Sequence, residues 1–106
     1  MSPNPSFDHF GYVIASKRVG TDRCPVRFMY REEPDGPGDS GWRLFAGDED
    51  QAYADDPGNL AMYAATTIVD IDPSIGPLLH TPPPCAFERE RATDPFVRSD
   101  GPDITT

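Results

Sequence analysis

Nine carboxylates fall between Glu32 and Asp56, around Trp42, the chain's only tryptophan. They are Glu32, Glu33, Asp35, Asp39, Asp48, Glu49, Asp50, Asp55 and Asp56, with Arg43 the one cation among them. Carboxylates at this density can hold a metal, act as acid and base, or present a negative surface. A calcium loop needs oxygen ligands at set spacing and a glycine for its sharp turn. The run Asp48-Glu49-Asp50 is followed by Gln51 and Ala52, without that glycine or a closing glutamate. Acid–base work needs a shielded pocket that shifts pKa values. These acids stand instead in a Gly/Pro-rich loop and at a helix start, both open to water. The pattern therefore favours a negative face with an aromatic anchor, suited to a basic protein partner.

The other reactive side chains form no constellation. His9 and His80 lack metal-ligand spacing. Cys24 and Cys85 carry no nucleophile signature and read as free thiols in a cytoplasmic protein. The glycines of Gly36-Pro37-Gly38 are not followed by the lysine and helix of a phosphate loop. No catalytic residue, metal or cofactor is expected. No leader or membrane-spanning segment is read from the sequence.

The net charge of −9 is unevenly distributed. Residues 1–31 carry +3, residues 32–72 carry −10 and residues 73–106 carry −2. A block of one sign repels nucleic acid and anionic membranes and attracts cationic protein surfaces. The length of 106 residues fits one domain with a modest core. The 13 prolines and 9 glycines fall in loops and termini rather than throughout.

The elements that position the acids follow from periodicity. Residues 11–16 read as a central strand. Residues 26–31 alternate, with Val26, Phe28 and Tyr30 on one face and Arg27, Met29 and Arg31 on the other. The acidic loop over 32–41 leads to a third strand at 42–46, pairing antiparallel with 26–31. Trp42 would be partly buried, its ring edge available, with Val26 and Phe28 before it. Arg27, Arg31 and Arg43 would share a sheet face and pair with neighbouring acids. Asp48 reads as the N-cap of a helix over 49–54, with Gln51 closing a capping box. Residues 60–65 fit a short strand or a turn. Ile68, Ile71, Ile75, Leu78 and Leu79 form a helical apolar stripe. Asp72-Pro73 starts a helix over 73–79 after a looser turn. Residues 85–89 read as a short edge strand.

Together these give an α+β fold, a single small domain with an antiparallel sheet and short helices packed on one face. Residues 1–10 read as a flexible arm with Phe7 and Phe10 docking its end, 11–90 as the domain and 91–106 as a flexible tail.

The segments Gly11-Tyr12-Val13-Ile14-Ala15-Ser16-Lys17 and Pro25-Val26-Arg27-Phe28-Met29-Tyr30-Arg31-Glu32-Glu33-Pro34 resemble a small bacterial family first catalogued as a domain of unknown function. The most distinctive match is Ser40-Gly41-Trp42-Arg43 followed by Gly47-Asp48-Glu49-Asp50. Thr67-Ile68, Ile71-Asp72-Pro73-Ser74-Ile75 and Ala86-Phe87-Glu88-Arg89 extend it across most of the chain. That family is similar to the predicted immunity proteins of bacterial polymorphic toxin systems. The resemblance implies an α+β fold, a toxin as protein partner and no catalytic residues to carry over, while the charge block argues against a membrane or nucleic-acid partner. The acids named above, with Trp42, are the candidate contact residues. A stand-alone cytosolic adaptor domain is the alternative, and a small metal-dependent enzyme ranks below it.

Overall fold

The computed structural model describes residues 11–99. The expected arm with Phe7 and Phe10 lies outside the described residues. Six strands form one sheet: β1 (Tyr12–Ser16), β2 (Phe28–Arg31), β3 (Asp39–Phe45), β4 (Leu60–Ala64), β5 (Cys85–Glu88) and β6 (Val97–Ser99). Their order is β4-β1-β3-β2-β5-β6. Between them lie α1 (Lys17–Gly20), α2 (Gln51–Asp55), α3 (Ala65–Ile71) and the 3-10 segments Pro57–Asn59 and Pro73–His80. The class is α+β.

The sheet is mixed rather than antiparallel throughout. The chain crosses from β1 through α1 to β2, turns, and lays β3 between the two. β3 is antiparallel to β2 and therefore parallel to β1. Strand alternation looks the same in either orientation, so the sequence pattern does not distinguish them. β4 resolves the ambiguity over 60–65 as a strand, antiparallel to β1. β5 is an inner strand, not an edge, because β6 pairs with it beyond residue 90.

Cross-strand partners share a face, which sorts the side chains. Met29 pairs with Leu44 and Phe87, and Arg31 with Trp42 and Cys85. That face carries the core, where Val13, Ala15, Met29, Trp42 and Leu44 meet Val19, Ile68, Ile75 and Leu79 from the helical segments. Full burial of each large apolar side chain contributes about 1.5–3 kcal/mol. The expected stripe is in place: Ile68, Ile75 and Leu79 are buried, with Ile71 and Leu78 packed against them. Asp72 caps the 3-10 segment Pro73–His80 by accepting from the Ser74 N–H, and the turn before it is the helix α3.

Three expectations are corrected here. Val26, Phe28 and Tyr30 do not share a face: Val26 is buried in the core with Met29, whereas Phe28 and Tyr30 line the open face. Trp42 is not partly available; it is 0% exposed, and its Nε1–H donates to the Leu79 carbonyl at 3.1 Å. Arg31 and Arg43 lie on opposite faces, opposite Trp42 and Tyr30 respectively. Arg31 stands on the core side because its aliphatic stem and charge are both accommodated. Its guanidinium lies 5.7 Å from the Trp42 ring centre and donates to the carbonyls of Ser40, Leu79 and Thr81.

Candidate functional site

The face of the sheet opposite the core gathers the acidic loop, an aromatic group and the second acidic cluster. At one end, the loop between β2 and β3 is organised by Asp39. Its carboxylate accepts the N–H of Asp35 at 2.8 Å and of Gly41 at 2.9 Å. Arg43 holds the same carboxylate through two bonds of 2.9 and 2.8 Å, and holds Glu32 at 2.8 Å. Asp35 stands 3.9 Å from Arg43 with its side chain 85% exposed. The Arg43 hydrogen bonds hold the Asp39 carboxyl far below its ordinary pKa, and those bonds raise that of Arg43. The loop neck closes at Gly41, whose φ of +88 suits glycine and whose carbonyl accepts the Glu32 N–H.

Beside this cluster lie Phe28, Tyr30 and Phe45. Their ring centres are 5.8 to 6.3 Å apart, and Tyr30 and Phe45 are stacked at 11°. Burial, followed by the nearby Glu32 charge, raises the Tyr30 hydroxyl pKa. The three rings floor a cleft of about 680 Å³. Gln51, Ala54 and Asp55 of α2 form part of its wall, as do Glu49, Glu88 and Glu90. So α2 does not join the other helices on the core face.

The sequence-predicted candidates separate into three roles. Trp42 and Asp39 are buried and serve the fold. Glu32 is tied to Arg43, and Asp48 to Arg18 by two bonds. Glu49 is held by the Ser16 hydroxyl and the N–H groups of Ala46 and Gly47. Asp50, rather than Asp48, caps α2, accepting the Tyr53 N–H at 2.8 Å. Asp56 caps the 3-10 segment Pro57–Asn59. Gln51 closes no capping box; its amide donates to Asp55. Glu33 and Asp35 remain exposed in the loop. Capping by these acids leaves their charge facing water, so the face stays negative.

Phe28, Tyr30, Phe45, Glu88 and Glu90 were not among the candidates. The alternation of residues 26–31 held the necessary signal. It misled because residues 26 and 27 precede β2 and break the alternation: Val26 is buried in the core, Arg27 lines the cleft with Phe28 and Tyr30, and the open face of β2 is the more apolar one. Cys24 and Cys85 are free, and burial raises the Cys85 thiol pKa. Among the described residues, no helix is long and apolar enough to cross a membrane.

No curated protein and no solved structure matches the chain. The model of the Immunity protein Imm33 domain matches residues 13–100, covering the sheet from the second residue of β1 onward, both acidic clusters and the aromatic cleft. With most of its length matched, the chain belongs to the Immunity protein Imm33 domain family, a family whose name points to a protein partner and a non-catalytic role.

Proposed function

We propose that this protein binds and neutralises a basic bacterial toxin domain in the cytoplasm, using the acidic open face of its sheet. The observation that carries the reading is the placement of negative charge. Glu33, Asp35, Asp55, Glu88 and Glu90 are all exposed, and Asp55, Glu88 and Glu90 border the aromatic cleft. Aromatic side chains supply contact area in binding sites, and the surrounding charge steers a basic partner toward them. Rings presented on a sheet face also stay in register, because the strand hydrogen bonds hold them. The aromatic anchor in this reading is the group Phe28, Tyr30 and Phe45 rather than Trp42.

The test uses a basic protein captured by this chain from the native lysate, produced in an inactive form where it is toxic, with association followed by stopped flow. Charge reversal at Glu33, Asp35 and Asp55 is expected to slow association about tenfold or more at low salt and to flatten its salt dependence. Association unaffected by the triple reversal rejects the acidic face as the contact surface. Tight binding of a non-toxin host protein instead favours an adaptor role.

A further inference from the structure

We infer that the aromatic cleft is the anchor pocket for an arginine of the basic partner, a step that rests on the function proposed above. Four carboxylates line it, Glu49, Asp55, Glu88 and Glu90, against two guanidinium groups, Arg27 and Arg89. Most of these are already committed. Arg27 donates to the carbonyls of Ala46 and Glu90, and Arg89 is paired with Asp72 at 2.7 Å. Glu49 is held by the β3–α2 turn, and Asp55 accepts from Gln51. The carboxylates of Glu88 and Glu90 make no hydrogen bond or ion pair among the described residues, although both border the cleft. They are acceptors left over at the rim of an aromatic floor.

Arginine matches both features where lysine matches one. Its planar guanidinium stacks on a ring face and still directs N–H groups outward in its plane toward carboxylates. Lysine presents a compact, strongly hydrated charge that stacks less well. The chain satisfies its own arginines in this manner: Arg89 lies 4.1 Å over the Phe96 ring while bonded to Asp72. A cleft of about 680 Å³ also has room for the residues flanking the arginine, as a loop of the partner would bring.

The probe is the capped tripeptide acetyl-Gly-Arg-Gly-amide, titrated into the ¹⁵N-labelled full chain and followed by amide chemical shifts. Citrulline and lysine versions are run alongside. The shifts are expected to concentrate at Phe28, Tyr30, Phe45 and Glu88. The citrulline peptide, which keeps the shape without the charge, is expected to leave them in place. The double variant Glu88→Gln, Glu90→Gln alters exposed side chains only and is expected to weaken the arginine peptide about three- to tenfold. Phe45→Leu keeps apolar bulk, removes a ring, and is expected to weaken it as well. Shifts scattered over Glu33, Asp35 and Asp50, equal binding of the lysine peptide, or an unaffected double variant each overturn the inference. The two readings fail separately. Neutralisation of the toxin at full strength by the double variant removes the arginine pocket and leaves the immunity reading intact. Docking of the peptide without any toxin neutralisation does the reverse.

Discussion

Arg43 grips Asp39 with two hydrogen bonds, 2.9 and 2.8 Å long, from four residues further along the same strand. Both side chains are buried, at 5% and 0% exposure. The pair is the hub of the acidic loop, since Asp39 also takes two backbone N–H groups and Arg43 also takes Glu32. One cation thereby keeps three nearby acids compatible with a folded loop. The loop is thus ordered by contacts within the chain.

Asp39→Asn is expected to destabilise the protein by about 3–5 kcal/mol, because it leaves a buried guanidinium without its main counter-charge. Glu32→Gln, at a half-exposed position, is expected to cost about 1 kcal/mol or less. Urea denaturation followed by tryptophan fluorescence measures both, since Trp42 adjoins Arg43. Equal losses for the two variants contradict the assignment of Asp39 as the hub.

The same pair sets an acid limit. The folded state holds Asp39 below its ordinary pKa, so folding favours the ionised form. The resulting stability is fully present above the unfolded value of about 4 and is lost progressively as pH falls below it. Arg43 stays charged throughout. Denaturation midpoints measured from pH 7 to pH 3 are expected to fall below pH 4, and to fall less steeply in Asp39→Asn. A parallel fall in the two proteins counts against this source.

Asp72 and Asp50 are both N-caps, but in different surroundings. Asp72 is buried, and besides capping the 3-10 segment it accepts the Val26 N–H at 2.9 Å and pairs with Arg89. Asp72→Ala is expected to cost about 3–5 kcal/mol, since it strands a buried arginine. Asp50→Ala removes an exposed cap and is expected to cost about 1 kcal/mol. Thermal unfolding of the two variants side by side checks the ranking.

Gly41 closes the neck of the acidic loop in a conformation disfavoured for other residues. A Cβ placed there would stand 2.1 Å from the Glu32 carbonyl oxygen. Gly41→Ala is expected to lose more than about 1 kcal/mol through backbone strain and the displaced Glu32. Gly36→Ala, with open space around its Cβ, is expected to be near neutral. Hydrogen exchange at the Glu32 amide is expected to rise in the first variant and stay unchanged in the second.

Local chemistry and periodicity determined much of this protein on their own. The apolar run at β1, the antiparallel pairing of β2 with β3, the Asp72-Pro73 helix start and the stripe through Ile68, Ile75 and Leu79 depend on contacts close in sequence or on one-face burial. The family motifs around Trp42 and Asp48 were also visible there. Tertiary structure decided the rest. Both faces of β2 read as plausible cores, and only the Met29–Leu44 and Arg31–Trp42 pairs select the buried one. Arginines can lie on the core side when distant backbone carbonyls, such as those of Leu79 and Thr81, receive their N–H groups, and no local pattern encodes those partners. Likewise, acids of identical type along one stretch become a buried hub at Asp39, a cap at Asp50 and an exposed surface charge at Asp35. The difference is set by which cation or N–H the fold brings to each. The aromatic cleft joins β2, β3, α2 and the end of β5, segments up to sixty residues apart, so it exists only once the sheet has assembled.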